Sequence, residues 1–287
     1  MWVRTRAIVA IGLGLTIIAS IGIYLGIRNV GDDLRLPIAG RSCTVQADGQ
    51  VRLNAEQMAN AATIAAIGIQ RKMPERAVVV ALATAYQESG LENLAGGDRD
   101  SIGLFQQRPS QGWGTPEEIR DPRYAAKKFY AGLKKVRGWE EMRVTDAAQA
   151  VQRSAFPEAY QKWADESEVL TRALLGDATA AVACTVGRTP VMRGDAAAAA
   201  LTRGLTLDWG LSETASLAEL TGLAVPAADP RDGWRYAHWL VSHAHDHGVK
   251  RVRFADLEWT ASKGTWSRVS DRDRQDTRVV AEVFGEA

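Results

Sequence analysis

Pro74-Glu75-Arg76-Ala77-Val78-Val79-Val80-Ala81-Leu82-Ala83-Thr84-Ala85-Tyr86-Gln87-Glu88-Ser89-Gly90 is the stretch around which the rest of the chain can be read. Pro74 suits the first turn of a helix, and Gly90 can supply the left-handed residue just past its end. Between them, Ala77 to Ala83 is apolar on every side, which predicts a helix buried in a core. After the first turn the only carboxylate is Glu88, in the last one. There the negative end of the helix dipole and an apolar neighbourhood both disfavour ionisation. Taken alone, Glu-Ser-Gly also fits a surface glutamate beside a glycine cap.

Downstream, Asn93 to Asp100 is rich in turn formers, so Glu88 opens onto a loop and not onto another packed helix. Ser101-Ile102-Gly103-Leu104-Phe105-Gln106-Gln107 follows, then Arg108, Gln111 and Trp113 in a loop broken by Pro109, Gly112 and Gly114. A carboxylic acid held protonated near neutral pH is what cleavage of a glycosidic bond needs, because it hands a proton to the leaving oxygen. Amides, a guanidinium and an indole suit sugar hydroxyls and ring faces; the same residues also suit an irregular loop that needs bracing. Asp98 and Asp100 are candidates for a second carboxylate, which an inverting glycosidase places about 6.5–9.5 Å from the acid. They are equally plain turn residues.

Glu88-Ser89, a polar turn, and then Gly103-Leu104-Phe105-Gln106 together resemble the soluble lytic transglycosylase and goose-type lysozyme superfamily. The resemblance covers about residues 50–175. It implies an all-α lysozyme-like domain with Glu88 as the catalytic acid. It also implies a sugar cleft formed by Ser89, Ser101, Gly103, Leu104, Phe105, Gln106 and Gln107, to which the residue reading adds Trp113. Phe105 stands where the family usually has Met. The family's Tyr-Asn-Ala-Gly, whose Tyr lies beside the glutamate, has no counterpart here: the chain reads Val151-Gln152-Arg153-Ser154.

With 287 residues the chain has room for two ordinary domains, and 46% hydrophobic with 24% charged residues is a globular composition. A net charge of +1 gives no global field for nucleic acid. Lys127-Lys128 and Lys134-Lys135 read as a solvated helix face, or as a weak attraction to an anionic wall. Ala7 to Ile27 is uncharged, flanked by Arg4, Arg6 and Arg28, and long enough to span a bilayer. The expectation is an uncleaved transmembrane anchor over 1–28 with a cytoplasmic N-terminus, and the bulk of the chain extracytoplasmic. A cleaved signal peptide is the alternative. A stalk is expected over 29–50. Two cysteines, Cys43 and Cys184, suggest one disulfide outside the membrane.

A linker over Gly176 to Ala200 is expected to lead from the 51–186 domain into a smaller α+β domain over 187–287. There Gly233 to His247 reads as a helix, and Val249 to Phe254 and Val279 to Phe284 as strands. Gly233-Trp234-Arg235-Tyr236-Ala237-His238-Trp239-Leu240-Val241, followed by His247-Gly248-Val249, Val252-Arg253-Phe254, Trp259 and Gly264-Thr265-Trp266, resembles the C-terminal domain of actinobacterial cell-wall hydrolases, which is similar in turn to zinc D-alanyl-D-alanine carboxypeptidases. The zinc ligands of those enzymes are not recognisable here. His238, His243, His245 and His247 cluster instead, and His243 and His247 share a helix face, but no third ligand is evident. Neither a metal nor a cofactor is expected. Two functional expectations follow: a membrane-anchored peptidoglycan glycan-strand cleaving enzyme, or an inactive wall-binding scaffold.

Overall fold

The computed structural model describes residues 42–187, 190–217 and 220–286. Its first elements are strands. Cys43 and Val45 alternate with polar neighbours in β1 (Ser42–Gln46), as Val51 and Leu53 do in β2 (Gln50–Asn54), and the apolar set is buried. A tight turn at Ala47 to Gly49 joins them as an antiparallel hairpin. β3 (Val182–Cys184) adds to the other edge of β1, giving the order β2-β1-β3. Cys43 and Cys184 face each other in that register and form a disulfide across a sequence separation of 141.

Asn54 then starts α1 (Ala55–Gln70) with a capping box, in which Asn54 and Gln57 each accept from the other's backbone N–H. α2 (Glu75–Ser89) is buried at every position from Ala77 to Tyr86, and Gly90 ends it in the left-handed conformation. Each fully buried Val or Leu in it contributes about 1.5–3 kcal/mol of transfer free energy. α3 (Pro116–Ile119) and α4 (Pro122–Leu133) begin at Thr115 and Asp121, whose side chains cap backbone N–H groups. α5 (Val144–Gln152) and α6 (Ala164–Leu174) complete the ring: α1, α4, α5 and α6 all pack on α2.

Beyond β3 come α7 (Gly194–Trp209), β4 (Ala215–Ser216), β5 (Gly222–Pro226) and α8 (Pro230–Ser242). They are followed by β6 (Val249–Ala255), β7 (Leu257–Thr260), β8 (Trp266–Arg268) and β9 (Gln275–Val283). These strands form an antiparallel sheet ordered β4-β5-β9-β6-β7-β8. Its inner face buries Val252, Phe254, Trp259, Val279 and Ala281, with α8 packed on β6 and β9. α1 also packs on α7 and α8, so one helix serves both halves.

Asp208 locks that junction. It is fully buried on α7, accepts from Thr63 Oγ1 of α1 at 3.1 Å and Trp239 Nε1 of α8 at 2.8 Å, and pairs with Arg123 of α4. Burial pushes its carboxyl above the usual range although Arg123 pulls the other way. Removing one partner of such a buried pair costs about 3–5 kcal/mol.

One expectation is corrected. The first half is not all-α: residues expected to be stalk and linker carry β1 and β3, and Gln50–Asn54 carries β2. The described residues fall in one compact unit. Period-2 runs of five residues or fewer in polar surroundings are too short to announce a sheet, and β3 gains its partners only through β1, 141 residues away in sequence at the cysteines. The membrane span expected over 7–27 lies outside the described residues; among the described residues no helix is long and apolar enough to cross a membrane.

His238 is fully buried; its Nε2 accepts from the Ala181 N–H at 2.9 Å, so Nδ1 carries the proton and donates to the Ala173 carbonyl at 2.7 Å. Burial holds His238, and likewise His243, down to about 4 from the ordinary 6.5. Between those values the unfolded chain binds more protons than the folded one, so stability present above 6.5 is lost as the pH falls toward 4. Urea midpoints should therefore be flat above neutrality and fall across that window, by up to about 1.4 kcal/mol per pH unit for each ring. Reduction of the Cys43–Cys184 bridge should lower the unfolding free energy by about 5 kcal/mol in the chain-entropy model, read from urea curves with and without reductant. A midpoint indifferent to reductant contradicts that expectation.

Candidate functional site

The last turn of α2 is anchored residue by residue. Tyr86 stacks on Trp163 at 4.9 Å between ring centroids, and Trp163 Nε1 donates to Gln87 Oε1 at 3.1 Å. Ser89 Oγ is within hydrogen-bond distance of both the Ala85 carbonyl, 3.0 Å away, and the Leu104 carbonyl, 2.8 Å away. Gln57 Nε2 donates to the Gly90 carbonyl and Asn60 Nδ2 to that of Leu91. The carbonyls that a helix leaves unpaired at its C-terminus thus find partners on α1.

Glu88 stands within this anchored turn. Its Oε1 accepts from Tyr160 Oη at 2.7 Å and from Gln152 Nε2 at 3.0 Å. Gln152 Nε2 also reaches the Phe105 carbonyl at 2.8 Å, which ties α5 to the loop after α2. Burial, with Glu88 beside it, pushes the Tyr160 hydroxyl well above the ordinary tyrosine range, so it remains a donor. Sequence reading did not single out Tyr160 and treated Val151 to Ser154 only as a departure from a family pattern. The pair at Glu88 comes from both places. The available signal was Tyr160 and Trp163, three residues apart before α6, matching Tyr86 to Glu88 in polarity and size.

Glu88 lines a cleft of about 1130 Å³. Its lining comes from the loop between Asp98 and Trp113, from Gly132, Lys135 and Val136 at and just past the end of α4, and from the segment Ala150 to Phe156. Ser101, Gln106, Gln107 and Trp113 line it as the sequence suggested. Leu104 and Phe105 do not: both side chains are fully buried, and Phe105 stacks on Phe129 of α4 at 4.8 Å. Gly103 is structural, with φ +76° and a hypothetical Cβ 2.9 Å from the Ile119 carbonyl. Gln107 Nε2 donates to the Ala125 carbonyl at 3.2 Å, joining this loop to α4.

The two aspartates have different settings. Asp98 lines the cleft with its side chain 91% exposed, 3.9 Å from Arg99. Asp100 accepts from Arg108 Nε at 2.7 Å and the Ser110 N–H at 2.8 Å, and these bonds hold its carboxyl well below the usual range. It braces the loop. His243 and His247 stack with parallel rings 5.7 Å apart, and His243 lies against Trp239. Among the described residues no group of His, Cys, Asp and Glu is placed to hold a metal ion. No protein-family model matches this chain, and no curated protein matches it.

Replacing Ser89 by Ala leaves the Leu104 carbonyl without its side-chain partner. The expected cost is about 1–3 kcal/mol, read as a lower denaturant midpoint at unchanged m-value; a midpoint equal to that of the parent chain would show that the tie is dispensable.

Proposed function

We propose that this chain cleaves the glycan strands of peptidoglycan on the extracytoplasmic side of the cell membrane, with Glu88 as the general acid. The observation that carries the reading is the double donation of Tyr160 and Gln152 onto one oxygen of Glu88 where it lines the cleft. Oε1 takes both bonds, which leaves Oε2, without a hydrogen-bond partner among the described residues, as the oxygen that acts on the substrate. Oε2 then protonates the oxygen between N-acetylmuramic acid and N-acetylglucosamine as the bond breaks. The resulting carboxylate, still held by the same two donors, is poised to take a proton back from the attacking hydroxyl.

Two routes finish the reaction. In the intramolecular one, the sugar's own 6-hydroxyl attacks and an anhydro product forms, so Glu88 alone serves as acid and then base. In the hydrolytic one, a second carboxylate activates water. The engagement of Asp100 by Arg108 and Ser110 favours the first, and leaves Asp98 as the candidate for the second. The disulfide supports an oxidising, exported setting. The scaffold reading rested on the missing Tyr-Asn-Ala-Gly pattern and the absent zinc ligands; Tyr160 Oη at 2.7 Å from Glu88 supports the enzyme reading against the first of these.

The full chain and its Glu88→Gln copy should be incubated with purified peptidoglycan, and the released fragments identified by mass spectrometry. Anhydro-muramyl fragments absent with the variant are expected. Reducing-end fragments would redirect attention to Asp98. If neither protein releases fragments while both sediment with the wall, the scaffold reading replaces the enzyme. Tyr160→Phe removes one donor to a charged group and should lower kcat/KM about 10- to 100-fold.

A further inference from the structure

The cleft lining includes three side chains that proton transfer at Glu88 does not use. Phe156 is 73% exposed, the most exposed of the large hydrophobic side chains in the described residues, and it lines the cleft. Its loop is not loose. Gln149 and Ser154 bond reciprocally through Gln149 Nε2 to the Ser154 carbonyl at 2.8 Å and the Ser154 N–H to Gln149 Oε1 at 3.2 Å. The Phe156 N–H donates to Ser154 Oγ at 3.0 Å, and Arg143 grips Glu158 beyond it. A braced backbone thus presents an apolar ring to solvent, at a place where burial would be favoured by about 25 cal/mol per Å².

Arg153 is the second feature. It caps α5 with φ +55°, the left-handed region that Gly or Asn occupies at lower cost. A long cation kept at such a position points to use of its side chain. Lys135, at the end of α4, is the third. Of the cleft's other cations, Arg108 is paired with Asp100 and Arg99 lies beside Asp98. Lys135 and Arg153 have no carboxylate partner among the described residues. The cleft lined by the exposed Phe156 ring is therefore also lined by two cations without a carboxylate partner among the described residues.

Resting on the glycan reading above, we propose that Lys135, Arg153 and Phe156 form the subsite for the peptide-bearing sugar. The ring takes the apolar face of the muramyl residue, and the two cations take carboxylates of its stem peptide. The chain then selects glycan that still carries its peptides over stripped strands and over neutral N-acetylglucosamine polymers. Charge also sets the salt response: exposed pairs of this kind weaken as the Debye length shrinks.

The test uses the full chain carrying Glu88→Gln, so that ligands bind without being cut. Three probes are titrated calorimetrically: glycan strands with peptides, the same strands after amidase removal of the peptides, and chitohexaose. Peptide-bearing strands should bind about tenfold tighter than stripped ones, and the gap should close in Lys135→Ala/Arg153→Ala and in high salt. Phe156→Ala should weaken all three probes alike. Equal affinity for stripped and peptide-bearing strands, or a double variant indistinguishable from its parent, overturns the subsite while leaving glycan cleavage standing. If no probe binds, and the unmutated chain releases nothing from the wall, the glycan reading fails and the subsite goes with it.

Discussion

A helix surrounded on all sides by other helices must still end, and its last carbonyls and first polar side chains must meet partners there. α2 meets this constraint at Tyr86 to Leu91, where α1, α5, the turn before α6 and the loop after α2 each supply a group. Glu88 is thereby placed by four separate segments of chain. Its two donors come from either end of one connection, Gln152 closing α5 and Tyr160 preceding α6. Preorganisation of this kind lets a carboxyl act without first reorganising its surroundings.

The same logic extends outward to α4 and beyond. Gln107 holds the cleft loop to α4, Phe105 stacks on Phe129 of α4, and Arg123 in the first turn of α4 is paired with the buried Asp208. Asp208 in turn engages α1 and α8. The C-terminal sheet and its helices are thus physically continuous with the wall of the cleft. A buried carboxylate is tolerated there because three donors compensate its lost hydration, and its removal leaves all three in an apolar junction.

Much of this was legible in residues. The capping box at Asn54 and Gln57, the buried helix ending at Gly90, the Asp121-Pro122 helix start and the strand at Val249 follow from local chemistry, and each is observed. β1, β2 and β3 were not legible, because each is short and is completed only by a partner elsewhere. Tyr160 and Gln152 were missed for a related reason: nothing in an aromatic or an amide announces which distant carboxylate it will face. Leu104 and Phe105 were read as cleft lining, but two large apolar side chains beside an apolar helix gain more from burial than from contact with sugar hydroxyls.

What the sequence by itself determined is the sort of place Glu88 occupies: the polar end of an apolar helix, opening onto a turn-rich loop, in a chain whose two cysteines had one available partner each. These are consequences of period, helix termini and turn chemistry, all acting over a few residues, and of a count. Tertiary structure alone decided which groups surround Glu88 and that α1 and Asp208 tie the helical half to the sheet. Those outcomes rest on contacts between residues 64, 72 and 85 positions apart. Such contacts depend on how whole elements pack, and no local pattern encodes them.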